Sequence, residues 1–227
     1  MFAFFKSISK TEALLWIISS ASIFLSAVLS GSMDYLSVIS SLIGVSSLIF
    51  IAKGHYFGQA LMIIFAVLYG IISIGQKYYG EAFTYLGMTA PSSFFTMIVW
   101  IKHPYKNSDT VEILNIPKLR LMLILVLTLI ISASAYFLLE VLGNAQPEIS
   151  TVSVATSFCA SALMFFRSPY YALAYAANDI VLIILWVIAS FSDYSCIPVA
   201  VCFIAFFLND IYGFYSWNKM KALQNSD

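Results

Sequence analysis

A chain of 227 residues that is 61% apolar and only 10% charged has too little polar surface to cover a water-soluble core. Its mean hydropathy of +0.92 makes lipid the solvent that fits. A net charge of zero carries no signal for nucleic acid or for an acidic partner, and no nucleic-acid partner is expected.

Eight apolar segments lie between polar breaks, at roughly 12–30, 35–52, 57–75, 80–100, 119–141, 150–166, 170–191 and 196–217. Each has the length of about 17–25 residues that crosses a hydrocarbon layer as a helix. The first follows Lys6 and Lys10, in the order of a signal sequence. It is longer than a signal core, so a retained helix is expected. With a cytoplasmic N-terminus, every lysine and arginine except Lys77 falls on the inner side: Lys6, Lys10, Lys53, Lys102, Lys106, Lys118, Arg120, Arg167, Lys219 and Lys221. The expectation is a multi-pass protein of the cell membrane with both termini cytoplasmic. Asp34, Glu81, Glu140, Glu148 and Asp193 then fall in outer connections.

Helices two to four and six to eight read as two copies of one unit. Lys53 opens a tight inner turn and Trp100 closes the following helix pair; Arg167 and Trp217 stand in the same relation. A single connector helix between the copies makes them parallel, one of the symmetries with which transporters build a site at a repeat interface. The expected divisions are an N-terminal helix (1–34), a first three-helix repeat (35–103), a cytoplasmic loop with the connector helix (104–149) and a second repeat (150–221).

The fourth segment is unusually polar, with Thr84, Tyr85, Thr89, Pro91, Ser92, Ser93 and Thr96. Pro91 is expected to kink it or free a carbonyl within it. The seventh carries Asn178-Asp179 and the eighth Asn209-Asp210. Carboxylates this deep cost about 2.5–3.5 kcal/mol unless they face a cavity or a partner. Asp179 and Trp186 share a helical face, as do Asp210, Gly213 and Trp217, while Asn209 and Tyr212 line the neighbouring one. Amides and carboxylates bond hydroxyls, and aromatic faces stack on planar or cationic rings. Such a set suits a nucleoside-like solute. Gln59 and Tyr69 of the third helix are further candidates, and Trp100 and Trp217 serve either as gates or as an interfacial belt. The alternative use of the polar groups is as glue between helices. Proton coupling through Asp179 finds no second titratable partner in the sequence.

Cys159, Cys196 and Cys202 read as small buried hydrophobes, and His55 and His103 lie in basic connections. No phosphate-binding loop, HExxH or GxSxG is present, so neither an enzyme nor a metal or cofactor is expected.

The stretches 51–73 (IAKGHYFGQALMIIFAVLYGIIS) and 78–100 (YYGEAFTYLGMTAPSSFFTMIVW), with NDIVLIILW and NDIYGFYSW, resemble the PnuC-type nicotinamide riboside transporters over residues 30–220. The resemblance implies an all-α fold related to the SWEET sugar transporters, facilitated diffusion by alternating access, and assembly as a homotrimer. It places solute contacts on Asn178, Trp186, Asn209, Tyr212 and Trp217. The chain departs from the family pattern at Tyr85, where many members have Asn, and at Ser93, where they have Gln. The expected activity is carriage of nicotinamide riboside or a similar nucleoside-like vitamin precursor, with Asn178, Asp179, Asn209, Asp210, Tyr212, Ser93, Gln59 and Tyr69 bonding it and Trp186 or Tyr85 stacking on it. A carrier of thiamine, riboflavin or deoxynucleosides is the alternative, and a non-transporting scaffold subunit the third.

Overall fold

The computed structural model describes residues 8–31, 34–106 and 108–226; Lys6 lies outside them. Among these residues the fold is helical, relieved only by two isolated bridges, His55 to Thr110 and Pro104 to Val111. The helices are α1 (Lys10–Leu29), α2 (Tyr35–Ala52), α3 (Phe57–Gly75), α5 (Lys118–Val141), α6 (Pro147–Phe165), α7 (Tyr171–Ser190) and α8 (Ile197–Ser226). All seven are long and apolar enough to cross a membrane. The element at 79–102, α4, runs in three pieces: an α-turn Tyr79–Ala82, a π-helical stretch Phe83–Thr89 and an α-helix Ala90–Lys102.

Local chemistry explains the boundaries. Ser9 and Glu12 form a capping box at the start of α1, with Ser9 Oγ accepting from the Glu12 N–H and Glu12 accepting from the Ser9 N–H. Asp34 caps α2 by accepting from the N–H groups of Leu36 and Ser37. Pro91 has no N–H to give Gly87, and its ring crowds that carbonyl, so the turn before it opens. The Ala90 N–H reaches back to the Tyr85 carbonyl, a five-residue step. The expected disturbance of the fourth helix is therefore a π segment just ahead of the proline.

Six elements close a ring: α2 packs on α3, α3 on α4, α4 on α6, α6 on α7, α7 on α8, and α8 back on α2. The α1 helix leans on α2 and α8 outside the ring, and α5 leans mainly on α6. On α5 only Ile124, Ala135 and Leu139 are buried; leucines and isoleucines cover the rest of its surface. An apolar face of that size belongs against lipid.

At one end of the bundle two turns match. The Gly54 N–H bonds Ile51 O and the His55 N–H bonds Phe50 O; the Arg167 N–H bonds Met164 O and the Ser168 N–H bonds Leu163 O. The turning residues Gly54 and Arg167 have φ of +67° and +58°, the left-handed conformation that closes this type of helix end. The segment after α4 straps this end. The Val111 N–H donates to Gly54 O and the Leu114 N–H to Arg167 O, Arg167 pairs with Glu112 at 3.1 Å, and Gln224 brackets Val111 and Ile113.

One expectation fails here. Glu81 is not in a connection: it is wholly buried inside α4. The helix starts early, at Tyr79, and Gly80 lets it press on α6, where a Cβ would lie 2.7 Å from Ser150 Cβ. That close approach carries the next residue into the interior.

Candidate functional site

Asp179 of α7 and Asp210 of α8 are both buried, and their carboxyls meet within hydrogen-bonding reach. The partner for Asp179 that the sequence did not offer is Asp210. Asp179 keeps its Oδ2 atom unpartnered. Among the described residues the ion pairs lie elsewhere, at Lys53–Glu12 and Arg167–Glu112. The two carboxyls line a cavity of about 20 Å³, the room that one water needs. Leu48 of α2, Met62 of α3, Tyr85 of α4 and Met164 of α6 complete its wall, so every helix of the ring contributes.

Aromatic layers close the cavity on both sides. Towards the α3–α4 connection, Trp186 donates its indole N–H to the Tyr69 hydroxyl at 2.6 Å, and Tyr69 packs edge-on against Tyr85 at 4.3 Å. Tyr78 donates to Leu185 O and packs on Trp186. Towards the strapped end, Trp100 and Trp217 pack at 5.4 Å between ring centres, and Trp217 donates to Ile51 O. Both tryptophans are buried against each other rather than exposed at the surface. Two larger hollows, of about 450 and 490 Å³, open at the periphery, one beside the strap and one between α1 and α2. Neither contains the acidic pair.

The other candidates separate into groups. Asn178 turns away from the cavity towards α6, where its Oδ1 accepts from Ser153 at 3.1 Å and Thr156 at 2.8 Å. Gln59 donates to Met164 Sδ and leaves its Oε1 unpartnered. Ser93 is buried on α4. Asn209 and Tyr212 face α1: the Asn209 amide donates to Ala205 O and Ser19, and the Tyr212 hydroxyl donates to Glu12. The structure thus brings Asp179, Asp210 and Tyr85 together, sets Tyr69 and Trp186 directly over them, and leaves Asn209 and Tyr212 outside the ring.

Three residues of the interior escaped the sequence analysis: Glu81, Tyr175 and Met164. Glu81 carried a usable signal, because Glu81, Thr84 and Tyr85 recur at helical spacing on one face. Tyr175 stands one turn before Asp179 and donates to or accepts from Ser161 at 2.9 Å. The methionine looks like any other core residue.

Comparison with known proteins agrees with this architecture. Residues 34–219 match the family described as nicotinamide mononucleotide transporter. The nicotinamide riboside transporter PnuC of Neisseria mucosa is 26% identical over 192 residues, which span 82% of this chain and 73% of that protein. PnuC of Haemophilus influenzae is 25% identical over 195 residues, covering 85% and 83%. A crystal structure of the vitamin B3 transporter PnuC superposes with a TM-score of 0.84, over 96% of this chain and 94% of that one, at 22% identity, and so shares the fold. With the family match covering the whole ring of helices, the chain is a multi-pass membrane protein that belongs to the nicotinamide mononucleotide transporter family.

Proposed function

We propose that this protein carries nicotinamide riboside across the cell membrane by facilitated diffusion. One observation supports this above the rest: two buried carboxyls without a basic partner, in a cavity walled by all six helices of the ring. An N-glycosylated pyridinium carries a fixed positive charge. A carboxylate in a low-dielectric interior stabilises such a ring strongly, and Tyr85 offers it an aromatic face. The names of the Neisseria and Haemophilus relatives point to the same solute.

The ring is built as two parallel three-helix repeats, α2–α4 and α6–α8, with α5 as connector and α1 outside. Reciprocal packing supports this, since the first helix of each set packs on the third of the other. The matching turns at Gly54 and Arg167 support it too. Rocking of one repeat against the other opens the cavity to each side in turn, with Trp100 and Trp217 as the gate on the strapped side. The concentration of basic residues on that side supports its being the cytoplasmic one. The conformation described has both aromatic layers closed. Homo-oligomer assembly follows from the family resemblance.

A scaffold subunit would show Asp179 and Asp210 paired off and dry, whereas a carrier would show them lining a cavity. Here they touch each other and line one. The contact leaves Asp179 Oδ2 unpartnered at the cavity, so the pair is not closed on itself and the carrier reading is the better supported. Thiamine is also a cation, and the acidic pair would serve it equally. Counterflow of labelled nicotinamide riboside in proteoliposomes tests the assignment, with thiamine, riboflavin and deoxynucleosides as competitors. Saturable counterflow displaced only by nicotinamide riboside supports it; strong displacement by thiamine, or no counterflow, overturns it.

A further inference from the structure

Next to the acidic pair in the interior, one hydroxyl bonds two buried side chains, and each of them keeps a second polar atom unpartnered. Ser153 Oγ of α6 lies 3.0 Å from Glu81 Oε2 and 3.1 Å from Asn178 Oδ1. Glu81 Oε1, Asn178 Nδ2 and Thr84 Oγ1 are buried without any hydrogen-bond partner. Glu81 and Asn178 are 0% and 1% exposed, and the described residues offer Glu81 no ion pair. Groups of this kind left unpaired inside a membrane are costly, and their persistence points to a partner that comes and goes.

Taking the solute proposed above as given, we infer that Glu81 and Asn178, hung on Ser153, form the subsite that recognises its carboxamide. The complementarity is specific. Glu81 Oε1 is an acceptor, Asn178 Nδ2 a donor, and a primary carboxamide presents one of each, its NH2 and its carbonyl. Thr84 Oγ1, on the face of Glu81 one turn on, can take the second amide hydrogen. The position fits as well. Glu81 lies one helical turn, about 5.4 Å, from Tyr85 at the cavity wall, and Asn178 is adjacent to Asp179. A ring carboxamide held between Glu81 and Asn178 leaves the charged ring over Tyr85 and Asp179. The π segment Phe83–Thr89 between them is a stretch where small backbone adjustments come cheaply, in keeping with its frequency at functional sites.

The test compares two cations of the same size and charge on purified protein: nicotinamide riboside, and 3-acetylpyridine riboside, whose methyl ketone keeps the carbonyl and lacks the NH2. Wild type prefers the amide at least about tenfold in Kd, because the ketone leaves Glu81 unpaired. Glu81→Met keeps the bulk, removes the acceptor and brings the ratio close to one. Asn178→Leu weakens both ligands while keeping the preference. A merely structural role for Glu81 lowers both affinities by one factor and leaves the ratio intact, which overturns the inference. So does a wild-type ratio near one, a result that needs no variant to fold. Binding of neither riboside by the wild type overturns the solute assignment itself, and the carboxamide subsite with it.

Discussion

The indole N–H of Trp186 on α7 donates to the hydroxyl of Tyr69 on α3 at 2.6 Å, and so joins α7 to α3 across the interior. Both side chains are wholly buried, and Tyr78 and Tyr85 pack around them. Tyr69→Phe removes the acceptor and strands the indole N–H where no water reaches. The expected cost is about 1–3 kcal/mol, seen as a lower midpoint of thermal unfolding in detergent. Trp186→Phe costs more, since it also opens a cavity in the aromatic layer.

The acidic pair should behave in the opposite way. Asp179→Asn replaces a contact between two carboxyls by one in which an amide donates to Asp210. The variant is therefore expected to unfold at a higher temperature than the wild type, by the equivalent of about 0.5–2 kcal/mol, the size of a common stabilising substitution. Uptake of nicotinamide riboside in proteoliposomes should meanwhile fall at least about tenfold. Greater stability with lost transport separates a solute site from helix glue, because glue that is removed destabilises.

The sequence and the structure agree most closely where the physics is additive. Segment lengths need only a local count, and α1 to α7 fall within a few residues of the apolar runs, while α8 starts with its run and continues past it to Ser226. The depth of Asp179 and Asp210 was legible for the same reason. What was not legible is which way a side chain turns. Asn178 and Asp179 are neighbours, yet one faces Ser153 and the other faces the cavity, and Asn209 and Asp210 divide in the same way between α1 and the cavity. A helix puts successive residues about 100° apart, so each pair was bound to split, but which member faces inward depends on helix packing. Glu81 was misplaced because a charged residue at the edge of an apolar run usually marks a loop. The Gly80 contact with α6 that draws it inside joins residues distant in sequence.

The turn between α2 and α3 should be sensitive to acid. His55 Nδ1 accepts the Phe57 N–H at 3.1 Å, and the ring stacks on Tyr56 at 4.8 Å. Burial pulls its pKa below the usual 6.5, with Asp109 offsetting part of the shift. The unfolded chain therefore binds the proton more readily than the folded one. Stability contributed by the neutral ring is complete above the unfolded value and is lost as pH falls below it. The thermal midpoint of the purified protein is expected to drop between about pH 7.5 and 5.5. His55→Gln, which can still offer an acceptor, should flatten that slope; an unchanged slope assigns the acid sensitivity to another group.

Gln224 holds the strap to the last helix with both ends of its amide. Its Oε1 accepts the Ile113 N–H at 2.8 Å, and its Nε2 donates to Val111 O at 3.1 Å. The paired geometry copies a rung of a sheet, and it fixes a segment that also touches Gly54 and Arg167, the turning residues after α2 and α6. Gln224→Ala removes both bonds and leaves the backbone groups to water, at about 1–2 kcal/mol. If the strap opens and closes faster than it is cut, cleavage follows the open population, which rises by roughly five- to thirtyfold. Limited digestion of the purified protein with trypsin at Lys102, Lys106 and Lys118 measures this directly. Since Pro104, Ser108 and Asp109 of the same segment wall a hollow with Trp100, the loosened variant should also exchange solute faster at the strapped face, and equal rates of digestion and exchange in the two proteins would show that the strap is held by Glu112 and Arg167 instead.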